Sequence, residues 1–324
     1  MEKEMCRYIA ALLVAVTFHS AIANEFVNGH VSTEVIESAE WGDTLVESGR
    51  GHISYHWKNV DSAERVKKLQ DSLKNSPLKN AQVMMEKKAE LFFAFDGPKL
   101  RYDKRINHTK DAVSVSRGGY DGEKWHIIKN HMYLSDPTKN SVRASVENRS
   151  NPNAAGFEYQ HDPRYDMTVF GTPVADFLRG NDVDYGKTSF FGIEQVNEEY
   201  VNGFNCIVFR GEIDPEGTLT VWLAKECLYR PVRIVLENGD FKEQINNTLR
   251  KYENGLWYLE NTHNEIMLKD ENGEWYLKTV SDLRLDNDFQ INCALDDSLF
   301  SLSFPPGVEV FDVRTGKNII SKGD

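Results

Sequence analysis

The chain has no long hydrophobic run, no basic tract, few cysteines and no catalytic signature, and each absence removes a class of function. The longest apolar run, residues 9–18, is too short to span a bilayer, which takes about 20 residues. Lys and Arg total 38 against 50 Asp and Glu, a net charge of −12. An acidic chain of this kind is a poor partner for nucleic acid or an anionic membrane surface. There are four cysteines, and their spacing fits no zinc site. Cys6 precedes the apolar run, so it is not a lipid-anchor cysteine. Cys206, Cys227 and Cys293 remain, an odd number that cannot all pair within one chain. Cys206 and Cys227 fall on nearby strands, compatible with either a bridge or two buried thiols. The nucleophile-elbow, phosphate-loop, dinucleotide and zinc-protease motifs are all missing. His126, His131 and His161-Asp162 match no ligand spacing. These absences point to a protein that is not an enzyme and uses no cofactor or metal.

What is present at the N-terminus reads as an export signal. The apolar run is followed by Ala21-Ile22-Ala23, the small-x-small pattern of a signal-peptidase site. Cleavage after Ala23 would leave a mature chain of residues 24–324 outside the cytoplasm, periplasmic or secreted. No later run is long or apolar enough for a transmembrane helix.

The body of the chain is written in strands. Residues 200–285 alternate runs rich in β-branched and aromatic residues (206–209, 219–223, 232–236, 256–259 and 275–280) with Asn-Gly turns at Asn238-Gly239, Asn254-Gly255 and Asn272-Gly273. Asn and Gly accept the positive φ of tight hairpin turns. About six consecutive strands in one large twisted antiparallel sheet are expected here. Upstream, residues 31–46 read as a helix capped by Ser32, with Val35, Ile36, Trp41 and Leu45 inward and Ser48-Gly49-Arg50-Gly51 as its stop. Residues 52–57 read as the first strand, 61–80 as a charged helical insertion, and 84–102 as a hairpin turning at Asp96-Gly97-Pro98. Strands follow at 112–116 and 124–128, with a short one at 131–134. Residues 140–160 read as a polar loop. Residues 163–180 read as one or two short helices crossing between the two halves of the sheet, suited to plug or lid its open face. The tail ends in a Pro-Pro-Gly turn and a final strand.

Six Trp, 13 Tyr and 17 Phe exceed what hairpin register requires. A sheet lined in this way suits an apolar ligand, because each buried methylene is worth about 0.8 kcal/mol. Phe93, Phe95, Trp125 and Trp222 on strands, with Phe170 and Phe177 on the crossing segment, are the candidate lining residues. The same side chains would serve equally as ordinary core, and composition alone favours that.

The order of features resembles the outer-membrane lipoprotein carrier superfamily (LolA/LolB-like). The likeness lies in the helix ending at Ser48-Gly49-Arg50-Gly51, the hairpin from Phe95-Asp96-Gly97-Pro98 to Tyr102, and the turn Tyr120-Asp121-Gly122-Glu123. It continues in the passage Val201-Asn202-Gly203-Phe204-Asn205-Cys206, then Val221-Trp222-Leu223 and Tyr229-Arg230-Pro231. The closing Phe304-Pro305-Pro306-Gly307 is also similar. The resemblance implies a mostly β (α+β) fold: one domain holding a large curved antiparallel sheet, an unclosed β-barrel with an N-terminal helix and short lid helices. It implies a carrier for a lipid or the acyl chains of a lipoprotein, with a lipid, an acylated protein or an envelope protein as partner. It also implies an arginine near the cargo mouth, for which Arg101 is the nearest counterpart. The chain departs from the pattern in its length, its insertion at 61–80 and its long loop after residue 136. The alternative is an envelope sensor or interaction module that uses the same half-barrel without lipid.

Overall fold

The computed structural model describes residues 31–60, 67, 71, 86–107, 112–147, 162–180, 190–213 and 217–323. The export signal and nearly all of the 61–80 insertion lie outside these residues. No described helix is long and apolar enough to cross a membrane.

Helix α1 (Thr33–Thr44) opens the described chain. The Ser32 hydroxyl accepts the Val35 N–H at 3.4 Å, satisfying one of the first-turn donors that a helix leaves unpaired. Its buried face is Val35, Ala39 and Gly42, a narrower stripe than the larger side chains alone suggest. Gly42 sets this stripe: a Cβ there would lie 2.8 Å from the Leu228 carbonyl oxygen, so only glycine allows the approach. Ser48-Gly49-Arg50-Gly51 does not merely stop the helix. It begins β1 (Ser48–Asn59).

Strands β2 (Glu86–Asp96), β3 (Lys99–Asn107), β4 (Ala112–Tyr120), β5 (Trp125–Tyr133) and β6 (Ser141–Glu147) follow as a meander. Two expectations change here. The separate pieces at 124–128 and 131–134 are one strand, β5, and the expected loop at 140–160 opens with β6, whose polar outer residues masked its alternation. Helices α2 (Pro163–Asp166) and α3 (Val174–Leu178) then cross to the second half. That half runs through β7 (Phe190–Val201), β8 (Phe204–Ile213), β9 (Gly217–Ala224), β10 (Arg230–Asn238), β11 (Phe241–Lys251), β12 (Trp257–Lys269) and β13 (Trp275–Leu285). A short β14 (Gln290–Ile291), β15 (Glu309–Asp312) and β16 (Lys317–Ile320) end it.

The sixteen described strands form one sheet in the order β16-β15-β6-β5-β4-β3-β2-β1-β13-β12-β11-β10-β9-β8-β7, with β14 paired to β1. Every pairing is antiparallel except β15 with β6. The two halves meet where β1 pairs with β13, joining the ends of the long meander. The sheet does not close among the described residues: β7 and β16 are its two ends. The fold is therefore mostly β, an unclosed antiparallel sheet with an N-terminal helix and two short crossing helices.

Period-two alternation divides the side chains between two faces. Directly opposed residues share a face, so Phe95, Leu100, Tyr120 and Trp125 form one row across β2–β5. Phe209, Val221, Ile234 and Ile245 form another across β8–β11. The three helices pack on this inner face. The outer face of β4–β6 is covered by the tail, where Leu302 and Val310 join Ile128, Ala144 and Val146 in a small cluster of their own.

The tail's seat depends on Gly119. A Cβ there would stand 2.4 Å from the Phe300 carbonyl oxygen, a backbone atom that cannot swing aside. Gly119→Ala is expected to destabilise the protein by about 1–3 kcal/mol through overpacking. It should also speed amide exchange in residues 297–304. Unchanged exchange in that stretch would mean that the tail does not rest on β4.

Candidate functional site: the covered inner face

The inner face is covered by residues 162–180, and local chemistry explains their compact path. The Asp162 carboxylate caps α2 by accepting the Arg164 N–H at 2.9 Å, with Pro163 at the first helical position, where its missing donor costs nothing. Val169 and Thr172 exchange backbone hydrogen bonds around a two-residue turn. The turn residues are Phe170, at φ +50°, and Gly171, at φ +87°. A phenylalanine in the left-handed region is strained. The ring is nonetheless buried in the cluster that also holds Phe177, Phe209, Leu219, Val221, Ile234 and Ile245, and this burial offsets the backbone cost.

Three polar anchors hold the segment down. The first is Asn247 on β11, which is wholly buried. Its amide nitrogen donates to the carbonyls of Asp166 at 2.7 Å and Pro231 at 3.0 Å, and its oxygen accepts the Thr262 hydroxyl at 2.9 Å. Asn202 reaches in from the β7–β8 turn to the Asn247 carbonyl at 3.3 Å. The second is the buried pair Arg230–Asp43 at 3.1 Å, which ties β10 to α1. Arg230 also donates to the Gly42 carbonyl, and the Asp43 carboxylate caps α3 through the Ala175 N–H at 3.1 Å. Burial pushes the Asp43 carboxyl up and the Arg230 guanidinium down, so desolvation outweighs their attraction and neither tolerates losing the other. The third is Arg164, bound to Asp162 at 2.7 Å, whose guanidinium lies 5.8 Å from the Phe93 ring centre and 5.1 Å from that of Phe95.

Beside the end of α3 an open cleft of about 620 Å³ separates α1, the Leu178-Arg179-Gly180 corner and the edge strand β7. Val31, Ile36, Leu178 and Ile193 make its apolar wall, and Arg179 and Glu194 mark its rim. The volume falls in the range of about 300–1,000 Å³ typical of small-molecule sites. Arg179 is paired across the rim with Glu40 of α1.

The seven residues singled out from sequence separate into three groups. Phe93, Phe95 and Trp125 do lie on the inner face, fully buried against their neighbours. Phe170 and Phe177 belong to the covering segment, also buried. Arg101 and Trp222 face outward, each between two inward residues: Leu100 and Tyr102 in one case, Val221 and Leu223 in the other. Arg101 pairs with Asp103 at 2.7 Å. Trp222 donates to Glu199 at 2.8 Å and stacks against Arg233. The arginine standing over the inner aromatics is Arg164, and Asp162-Pro163, a helix-start signal two residues before it, is what marks it in the sequence.

The two described histidines of the set do not converge. Five residues apart on β5, His126 and His131 point to opposite faces. His126 Nδ1 donates to the Leu302 carbonyl at 3.0 Å under the tail, and His131 lies 2.7 Å from the Ser114 hydroxyl. His161 lies outside the described residues, and Asp162 is the α2 cap. No metal-binding group of His, Cys, Asp and Glu occurs among the described residues. Cys206 and Cys227 are buried free thiols, with burial raising both, and Cys293 is free and half-buried.

No protein-family description and no curated protein matches the chain. Solved structures do. A DUF1329-family protein from Desulfovibrio piger is 9% identical, with a TM-score of 0.39 over 83% of this chain and 96% of that one. A candidate outer membrane lipoprotein-sorting protein domain from Vibrio parahaemolyticus is 11% identical, with a TM-score of 0.34 over 82% and 94%. A porin-like protein from Bacteroides uniformis is 9% identical, with a TM-score of 0.25 over 75% and 96%.

Three variants weigh the anchors. Arg230→Ala strands a buried carboxylate and is expected to cost about 3–5 kcal/mol in urea unfolding. Combining Arg230→Met with Asp43→Ala should cost less than the sum of the two single changes. Asn247→Leu keeps the volume but leaves the Asp166 and Pro231 carbonyls and the Thr262 hydroxyl unpaired, at about 1–3 kcal/mol for each group left buried. A loss below about 1 kcal/mol for Asn247→Leu would show that the covering segment is held by its apolar side chains alone.

Proposed function

We propose that the protein is a non-enzymatic binding or carrier protein for an apolar ligand, a lipid or the acyl chain of a lipoprotein, working outside the cytoplasm. One observation carries this reading: an apolar inner sheet face is covered by a short segment anchored at a few polar points, beside an open cleft of about 620 Å³ with a mixed apolar and polar lining. In this form the inner face is filled by the protein's own side chains, so a ligand must displace part of the cover.

Magnitudes decide how much of the cover moves. Re-exposing Met167, Val169, Phe170, Val174, Phe177 and Leu178, at about 1.5–3 kcal/mol each, costs roughly 9–18 kcal/mol. A sixteen-carbon chain offers on the order of 10 kcal/mol by burial before ordering costs. A single acyl chain therefore matches at most the low end of that cost, before the cost of ordering the chain. It can slide beneath the α3 end, where Phe177 and Leu178 account for about 3–6 kcal/mol. The cleft lies at that end.

A second reading has its own observation. With the inner face filled, Phe311, Ile319 and Ile320 at the β15–β16 edge are 44%, 53% and 63% exposed. An envelope sensor or interaction module would use such a surface on a protein partner.

Native mass spectrometry of the mature protein, isolated without detergent and then extracted with organic solvent, separates the two. A lipid or acylated adduct released on denaturation is expected. Ile193→Glu, at the wall of the cleft, should then weaken lipid capture about tenfold or more, the worth of one buried side chain. Its unfolding midpoint should stay near that of the parent. A clean apo mass that persists after incubation with phospholipid vesicles and acylated peptides removes the carrier reading.

A further inference from the structure

Along β5 and β6 the inner face changes character within one step of the strand. Trp125 and Ile127 on β5 are fully buried. Lys129, the next residue on that face, is exposed, and so is Arg143, directly opposite it on β6. Residues two apart along a strand are separated by about 7 Å, so the inner face passes from buried to exposed over that distance. The register sets Lys104, Ser116, Lys129 and Arg143 side by side in one row across β3–β6. The row before it holds Tyr102 and Ile127, and continues onto β15 at the exposed Phe311.

The row carries charge of one sign. Lys129 and Arg143 are directly opposed, which places their Cβ atoms about 5 Å apart, and like charges in that position repel. Neither has an ion-pair partner among the described residues. Two carboxylates share this face of β3–β6 and β15. Glu147, further along β6, accepts the Ser145 hydroxyl at 3.3 Å. Glu309 stands one residue before the Val310–Ala144 pairing and forms no ion pair with Arg143 among the described residues. Lys104, the third cation of the row, is buried at its β3 end. A chain of net charge −12 thus gathers cations on one strip of its inner face. An oxyanion seated between Lys129 and Arg143 turns their repulsion into two attractions. A guanidinium fork beside an ammonium suits the oxygens of a phosphate, and Ser116 adds a hydroxyl to the row.

We propose that the Lys129–Arg143 row is an oxyanion site, and that it seats the phosphate of an anionic lipid whose chain lies on the neighbouring apolar row. The lipid part rests on the proposed carrier function; the oxyanion site itself does not. Charged and apolar rows one step apart match the two ends of an amphiphile, with Ile127 and Phe311 on the apolar side. A headgroup that carries its own ammonium brings a cation back to the row and is disfavoured, so the site selects by headgroup charge. The acidic remainder of the protein keeps it off an anionic bilayer, and the site therefore takes lipid molecules singly.

Calorimetric titration of the mature protein at low salt, with dihexanoyl phosphatidylglycerol and dihexanoyl phosphatidylcholine as monomers, tests the site. The parent should bind the anionic lipid about tenfold or more tightly than the zwitterionic one. The double variant Lys129→Gln/Arg143→Gln should bind the two alike, with its affinity for phosphatidylcholine unchanged. Both side chains are exposed, and with their repulsion removed the variant's unfolding midpoint should equal or exceed the parent's. Equal affinity of the parent for the two lipids would overturn the headgroup site and leave the carrier reading standing. A preference that survives in the variant would place the anion elsewhere and overturn it too. Should neither lipid bind, the carrier reading and the lipid part fall together, and inorganic phosphate decides for the oxyanion site. Against chloride at matched ionic strength, phosphate should raise the parent's unfolding midpoint and not the variant's. Equal shifts in the two proteins would overturn the site.

Discussion

The carboxamide of Asn247 is the point through which the inner face is organised. It is wholly buried, and its two donors and its oxygen join α2, β10 and β12 in one network. A buried amide left unpaired costs more than a hydrogen bond gains, so this network has one low-energy arrangement and few tolerable near misses. That directional requirement acts together with the apolar burial of Phe170 and Phe177 to place the covering segment.

The cover has a composition that fits a part able to move. Its helices are a single turn or little more, too short to hold themselves without tertiary contacts. Its tip holds a phenylalanine at positive φ, and its base carries the buried Asp166 and lies against the desolvated Arg230–Asp43 pair. Each of these costs free energy that the docked position offsets. The surrounding sheet shows the opposite character, with long ladders, buried aromatic rows and hairpin turns of the expected chemistry. The element that stands over the inner face thus carries backbone strain at Phe170 and two buried carboxyls, Asp162 and Asp166.

The two faces of the sheet are covered by different means. The inner face carries the three helices and their polar anchors. The outer face of β4–β6 carries the tail, seated closely on Gly119 and fixed through the His126–Leu302 contact. The cleft at the end of α3 stands beside the inner cover.

The sequence by itself determined the class of the fold. Asn-Gly turns, β-branched and aromatic runs and the Ser32 cap are local signals, and local signals survive without knowledge of partners. It also marked residues 163–180 as a crossing element with helical character. It did not show β11 as clearly as its neighbours, because two of that strand's inward positions are Glu243 and Asn247, and a polar inward residue erases the alternation by which a strand is recognised. Asn247 proved to be the one of these that holds the cover. Nor could it say which way Arg101 and Trp222 point, since parity along a strand is meaningful only once the register with its neighbours is known. Tertiary structure alone decided that Arg164 stands over Phe93 and Phe95, that Asp43 meets Arg230, and that Asn247 meets Asp166. Each of these pairings except that of Arg164 with its own cap joins residues many positions apart, and the energy that selects them, desolvation followed by directional pairing, exists only after the sheet has brought them together.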